Sequence, residues 1–212
     1  CAEILGSLLG EAGFVNSYHD FSPGRTTLIS RYQGTDSSLR PLALTGHLDT
    51  VPFGHQPWSK QPLAGEIEGG KLFGRGASDM KSGVAVIVAS AISAAGRPGT
   101  LKRGLQLILT AGEETGCEGS RHVAMLEGGL EKASALLVAE PTSNYPTIGH
   151  RGALWLRGST EGVTAHGSMP ERGVNAIYKA SRAITKLADF DFNVKRDPLL
   201  GSPSINVGTV RG

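Results

Sequence analysis

Three apolar runs in this chain each lead straight into side chains that can titrate or bind a metal. Leu42–Thr45 runs into Gly46-His47-Leu48-Asp49, Leu105–Thr110 into Ala111-Gly112-Glu113-Glu114, and Ala135–Ala139 into Glu140-Pro141. Short runs rich in Leu, Ile, Val and Thr and bounded by turn residues read as strands, and Thr26–Arg31 is a further one. Between Leu42–Thr45 and Leu105–Thr110 lies Val84–Ala95, whose Ala, Val and Ile content predicts a buried helix. Ser120–Glu127 reads as a shorter helix capped by Ser120. The opening residues Cys1–Leu9 read as an amphipathic helix. Strands alternating with helices predict an α/β fold, a largely parallel sheet with flanking helices.

Open sheets of that kind bind ligands at the carboxyl ends of their strands. His47, Glu113, Glu114 and Glu140 all fall at such ends, and Asp79 stands just before the predicted buried helix. Each has an ordinary reading when taken alone. His47 is a satisfied strand-end histidine, Asp79 a helix cap, Glu113-Glu114 a solvated acidic turn, and Glu140 a loop acid before proline. One shared site accounts for all of them at once. Carboxylates crowded without a cation repel one another and are pushed up in pKa, a cost that a divalent metal removes. Asp49, two residues beyond His47, lies on the same side of an extended segment. There it can accept a hydrogen bond from the imidazole, as a partner to a metal-bound histidine does.

The glycine-rich stretch Gly74-Arg75-Gly76-Ala77-Ser78-Asp79-Met80-Lys81-Ser82-Gly83 invites a phosphate-binding reading. A P-loop needs glycine immediately before its Lys-Ser and again five residues earlier, where this chain has Met80 and Arg75. A dinucleotide fingerprint starting at Gly74 would bring Asp79 against a pyrophosphate, which it would repel. The 21 basic and 19 acidic residues are interleaved, for a net charge of +2, with no basic block for nucleic acid. No apolar run approaches the ~20 residues that span a membrane. Cys1 and Cys117 have no metal-ligand spacing and cannot build a disulfide framework. That usage fits a reducing compartment, and a cytoplasmic location is the expectation.

The character of the chain changes near Gly149-His150-Arg151-Gly152. Residues 1–150 are expected to form the metal-binding domain and residues 151–212 part of a smaller α+β domain. In the latter, Ala153–Ser159 and Ser204–Val210 read as strands flanking a helix at Asn175–Ala188.

Taken in order, these segments resemble the zinc aminoacylase and carboxypeptidase family. That family includes acetylornithine deacetylase, succinyl-diaminopimelate desuccinylase and glutamate carboxypeptidase. The resemblance lies in Gly46-His47-Leu48-Asp49-Thr50-Val51-Pro52, Gly74-Arg75-Gly76 through Asp79-Met80-Lys81-Ser82-Gly83, Gly112-Glu113-Glu114 and Ala139-Glu140-Pro141. It continues in Thr164-Ala165-His166-Gly167-Ser168-Met169-Pro170 and Gly173-Val174-Asn175-Ala176-Ile177, which look like the start of that family's lid. Each motif is weak by itself; the ordered set is specific.

The resemblance implies a zinc-dependent amidohydrolase acting on a small N-acylated amino acid or dipeptide-like substrate. A metallocarboxypeptidase, a dipeptidase or a non-catalytic metal- or peptide-binding module are the alternatives. It further implies two zinc ions, or cobalt or manganese in their place, with Asp79 bridging them. His47 and Glu140 would complete one site, and Glu114 would belong to the other. Glu113 would be the general base, Asp49 would orient His47, and His166 would stabilise the oxyanion from the lid of a homodimer's partner subunit. The family draws a further histidine for the second metal from near the end of its full chain, and His19, His55, His122 and His150 lie in no matching motif. The expectation is therefore of a piece of a longer protein, cut inside its lid. Alone it should hold one metal well, turn over weakly if at all, and associate through an unpaired sheet edge.

Overall fold

A computed structural model describes residues 1–97 and 99–212, and its backbone divides into two compact units, Cys1–Pro146 and Thr147–Gly212. The first unit opens with helix α1 (Ala2–Glu11) and an antiparallel hairpin, β1 (Val15–Ser22) and β2 (Arg25–Tyr32). Strand β3 (Leu42–His47) is followed by a long loop carrying the two-residue strands β4 (Ile67–Glu68) and β5 (Lys71–Leu72). Helix α2 (Ser82–Ala95), β6 (Leu105–Thr110), helix α3 (Glu118–Met125) and β7 (Ala135–Val138) complete it.

The main sheet has the order β1-β2-β6-β3-β7. Strands β6, β3 and β7 run parallel, whereas β1 and β2 are antiparallel to their neighbours, so the sheet is mixed rather than largely parallel. The cause is local. Ser22 pairs with Arg25 across Pro23-Gly24, and a two-residue turn can join only antiparallel strands. Strand β1 escaped sequence reading because it is an edge strand with no buried residue and no apolar alternation.

All six residues of β6 are buried, as expected of a central strand. Helix α2 buries Val84, Ile87, Val88, Ala91 and Ala95, a single stripe at helical spacing that packs on β3 and β6. Leu9 and Phe14 close the core beside Leu28, Leu44, Leu107 and Leu109. Each fully buried Leu, Ile or Phe contributes about 1.5–3 kcal/mol. The shorter helix begins at Glu118, not Ser120, and Cys117 precedes it with φ 58°. Ser120 lies inside the first turn, its hydroxyl donating back to the Cys117 carbonyl at 2.9 Å. Among the described residues no helix is long and apolar enough to cross a membrane.

In the second unit α4 (Ala176–Ala188) forms where it is expected, with the Asn175 side chain accepting the Tyr178 N–H at 3.0 Å. The expected strands at Ala153–Ser159 and Ser204–Val210 do not form. A strand is stabilised by its cross-strand neighbours, and Leu154, Trp155 and Leu156 are all exposed, with no ladder beside them. The unit's backbone pairing consists of single bridges, Val163 with Val174 and Asp197 with Gly201.

Candidate metal centre

His47 ends β3 and is 2% exposed. Its Nδ1–H donates to the Asp49 backbone carbonyl at 3.0 Å, so the proton of the neutral ring sits on Nδ1. Its backbone N–H donates to Met80 Sδ at 3.1 Å, and Met80 is itself fully buried. Imidazole and main chain are thus fixed together. Nε2, left with its lone pair, faces acids: Asp79 Oδ1 at 3.1 Å, Glu140 Oε1 at 3.8 Å and Glu113 Oε2 at 4.0 Å. A lone pair opposed to carboxylates is repulsive unless a proton or a cation lies between them.

Three stretches of backbone bring those acids in. Asp79 sits in the irregular turn Ala77–Lys81, with extended φ −113° and ψ 103°, ahead of α2. It makes no capping bond to that helix, so the cap reading of Asp79 does not hold. Glu140 follows β7 after the single residue Ala139. A Cβ on Gly83 would run into the Ala139 carbonyl oxygen, so only glycine lets the start of α2 approach the end of β7 this closely. Glu113 and Glu114 lie on the turn after β6, which begins at Gly112 with φ 79°.

The Asp49 carboxylate organises that turn. Its Oδ1 accepts the N–H of Gly112 at 2.9 Å and of Glu113 at 3.2 Å, while Oδ2 accepts that of Glu114 at 3.2 Å. Its Oδ1 stands 3.7 Å from His47 Nδ1, whose hydrogen bond goes to the Asp49 carbonyl instead. Asp49 therefore grips the imidazole through its backbone and the acidic turn through its side chain.

Donor atoms of His47, Asp79 and Glu114 lie within 4.8 Å of one another, a set of one imidazole and two carboxylates that suits a divalent ion such as zinc. The electrostatics agree with that fit. Burial, and then the charge of Asp79, raises the Glu114 pKa. Burial likewise raises Glu140, with Asp79, Glu113 and Glu114 adding to it against the lowering effect of His47. For His47 burial acts downward, but the Asp49 carbonyl and the charges of Glu140, Asp49 and Glu113 outweigh it and raise the ring. These acids sit where a positive charge is wanted.

In the second unit, exposed His166 receives the Ser168 backbone N–H at Nδ1, 3.3 Å, with the Ser168 hydroxyl 2.8 Å away. That leaves Nε2–H as its donor. Two residues with no expected role support the centre in the first unit: Met80, against the His47 main chain, and Arg25, beside Asp49. A methionine before a helix reads as core, and Arg25 is recognisable only once the β1–β2 hairpin is known.

Residues 43–204 match the peptidase family M20/M25/M40. The chain is similar to the succinyl-diaminopimelate desuccinylase of Cereibacter sphaeroides, 32% identical over 200 residues, which cover 90% of this chain and 52% of that protein. It is also similar to the acetylornithine deacetylase of Myxococcus xanthus, 31% identical over 193 residues, covering 89% and 49%. The chain spans about half the length of these relatives. A tripeptidase from Staphylococcus aureus shares its fold, with a TM-score of 0.54 at 22% identity over 87% of this chain and 49% of that one.

Proposed function

The chain belongs to peptidase family M20/M25/M40, and from that membership we propose that it is part of a metal-dependent amidohydrolase that cleaves the linear amide of an N-acyl amino acid. The observation that carries this reading is the placement of His47 Nε2 against Asp79, Glu140 and Glu113, with Glu114 beside them. The names of the two curated relatives described above favour a desuccinylase or deacetylase over a carboxypeptidase or dipeptidase.

His47, Asp79 and Glu140 would hold one divalent ion, and Asp79 with Glu114 part of a second. Bound there, zinc, cobalt or manganese supplies Lewis acidity, polarising the scissile carbonyl and acidifying water. The chain's own residues do the rest. Glu113 is the carboxylate assigned to proton transfer: its Oε takes the proton from the attacking water and returns it to the departing amide nitrogen. Asp49 keeps His47 in the Nδ1–H tautomer and holds the backbone on which Glu113 rides. His166 would offer Nε2–H to the oxyanion that forms as the carbonyl is attacked. A binding module has no use for a proton acceptor beside its ligands, so Glu113 favours catalysis.

The second unit would serve as the lid and as the contact of a homodimer, with α4 at that contact and His166 acting on the partner's centre. The test is an assay of the full-length protein on N-succinyl and N-acetyl amino acids and on dipeptides, before and after chelation. Hydrolysis of an acylated amino acid that is lost on chelation and restored by zinc or cobalt is expected. Turnover that survives complete removal of metal would overturn the reading.

A further inference from the structure

Arg25 opens β2, and the antiparallel register that sets Leu28 opposite Leu109 brings the start of β2 beside the end of β6, where the acidic turn begins. Two side chains from this end of β2 reach that turn. Thr27, fully buried, accepts the Ala111 N–H on its hydroxyl at 3.3 Å. Arg25 Nη2 donates to the Thr115 hydroxyl at 3.1 Å and stands 3.7 Å from Asp49 Oδ2. The guanidinium also lies over the Phe21 ring, 5.2 Å from its centroid, which restrains it from behind. That same ring closes on Gly112, where an added Cβ would come within 2.8 Å of it. The β1–β2 hairpin thus brackets the turn from Gly112 to Thr115, with a ring at one end and a cation at the other.

The charge matters because of what Asp49 does. Its carboxylate accepts the three backbone N–H groups that set the position of Glu113 and Glu114, and it is only 18% exposed. Arg25 Nη2, on the side of Asp49 Oδ2 and of Thr115, completes a set of contacts that fixes this carboxylate between the turn and β2. From this geometry we infer that Arg25 is a positioning residue for the hydrolytic reaction: it braces Asp49 and Thr115 so that the turn presents Glu113 at the reacting centre. The inference rests on the reading of Glu113 as the proton-transfer group. Arg25 touches neither the metal ligands' donor atoms nor, on this reading, the substrate. Displacement of a reacting group by about 1 Å costs on the order of 10²-fold in rate, which is the scale available to such a brace.

The experiment uses the full-length, metal-loaded enzyme as wild type, Arg25→Met, Arg25→Lys and Thr115→Val. With an N-acyl amino acid substrate, Arg25→Met should lower kcat by about ten- to hundredfold and leave KM within about threefold, with unchanged metal content. Arg25→Lys, which keeps the charge but not the planar fork, should recover part of the loss, and Thr115→Val should fall between wild type and Arg25→Met. An Arg25→Met enzyme with wild-type kcat, or one defective only in KM, overturns the proposal. If Arg25→Met does not fold, Thr115→Val and Arg25→Lys decide: wild-type kcat in both overturns it. A second readout stands apart from turnover. Amide hydrogen exchange at Gly112, Glu113 and Glu114 should accelerate at least tenfold in Arg25→Met and Thr115→Val, while the amides of β6 keep their protection. Unchanged exchange at the turn overturns the proposal even if the protein hydrolyses no amide at all, whereas a wild-type protein without amidase activity sinks only the proposed function.

Discussion

His47 Nε2 stands 3.1 Å from Asp79 Oδ1 although the two residues are 32 positions apart in the chain, one at a strand end and the other in the turn that precedes α2. Asp79 is the acid nearest the imidazole, and it also lies in the cluster with Glu114. The imidazole, with Nδ1 bound to the Asp49 carbonyl, has a single free nitrogen, whereas Asp79 has two carboxylate oxygens and can serve both proposed ion positions. Asp79→Ala should lose most bound metal, and Glu140→Ala should lose less. Saturating metal at a hundredfold excess over its Kd stabilises a protein by about 2.7 kcal/mol. The zinc-dependent rise in Tm should accordingly vanish in Asp79→Ala and persist, reduced, in Glu140→Ala. Elemental analysis beside thermal melts checks this, and full metal occupancy in Asp79→Ala would remove Asp79 from the centre.

Glu113 lies 4.0 Å from His47 Nε2, farther than Asp79 or Glu140. Glu113→Gln keeps the shape and backbone bonds of the turn while deleting the proton acceptor. Metal content should stay at the wild-type level and kcat should fall by about 10²–10⁴. A Glu113→Gln enzyme with near-normal turnover, measured on the full-length protein, would assign the proton transfer elsewhere.

How much of this was legible in the sequence depends on whether a residue's role is local. The strands Leu42–His47 and Leu105–Thr110 and the helix Ser82–Ala95 are apolar runs with sharp polar ends, so their chemistry-bearing neighbours could be read directly. Strand β1 could not, because an edge strand of mixed polarity carries no periodic signal, and with it went the mixed character of the sheet. The partner of the His47 ring was expected to be the Asp49 side chain and is its carbonyl, a choice made by the bend after β3 rather than by residue type. Arg25 was invisible for the same reason: its partners lie 24 and 90 residues away along the chain, joined to it only by the register of β2 on β6. Residues 153–159 and 204–210 have strand-like composition, but composition supplies no partner strand.

Helix α2 meets β7 through Gly83, where a methyl group would collide with the Ala139 carbonyl. Gly83→Ala must either push the helix start away or strain the strand end, and overpacking of that kind costs about 1–3 kcal/mol. Because Asp79 precedes the helix and Glu140 follows the strand, the same shift should weaken metal binding. Gly83→Ala should show a lowered Tm together with a raised Kd for zinc. A substitution that lowers neither stability nor affinity would mean the two elements separate at no cost.

Metal-free protein should lose stability as pH rises. Glu114 and Glu140 are raised above the ordinary 4.5 by burial first and then by neighbouring acids, and His47 is raised above 6.5 by the Asp49 carbonyl and nearby carboxylates in spite of its burial. A group raised on folding gives its full stabilisation below its unfolded pKa and forfeits it as pH climbs through the folded one. The apo protein's Tm should therefore fall as pH rises above 4.5 and continue to fall above 6.5. A bound cation acts the other way, since it needs His47 neutral and the acids ionised. The Tm gap between metal-loaded and apo protein should widen across the same range. Parallel melts with a constant gap would contradict the assignment of these three residues to the ion.

His166 carries the last prediction. The Ser168 N–H directed at its Nδ1 leaves that nitrogen unprotonated, so the neutral ring must donate from Nε2. A neutral imidazole held in that tautomer is suited to an oxyanion, because it can give a hydrogen bond without first gaining a proton. Deleting such a donor costs about 10²–10³ in kcat, so His166→Ala should lose that much with little change in metal content. His166→Gln, which keeps a donor, should lose less. If the histidine serves the partner subunit's centre, a dimer mixed from His166→Ala and Glu113→Gln contains one site with both residues intact. Combining the two inactive proteins under conditions of subunit exchange should then recover activity, up to about a quarter of wild type for random pairing of equal amounts. Recovery at that level places His166 in trans. Failure to recover any activity, with mixed dimers demonstrated by mass, would place it in its own subunit's site or outside the reaction.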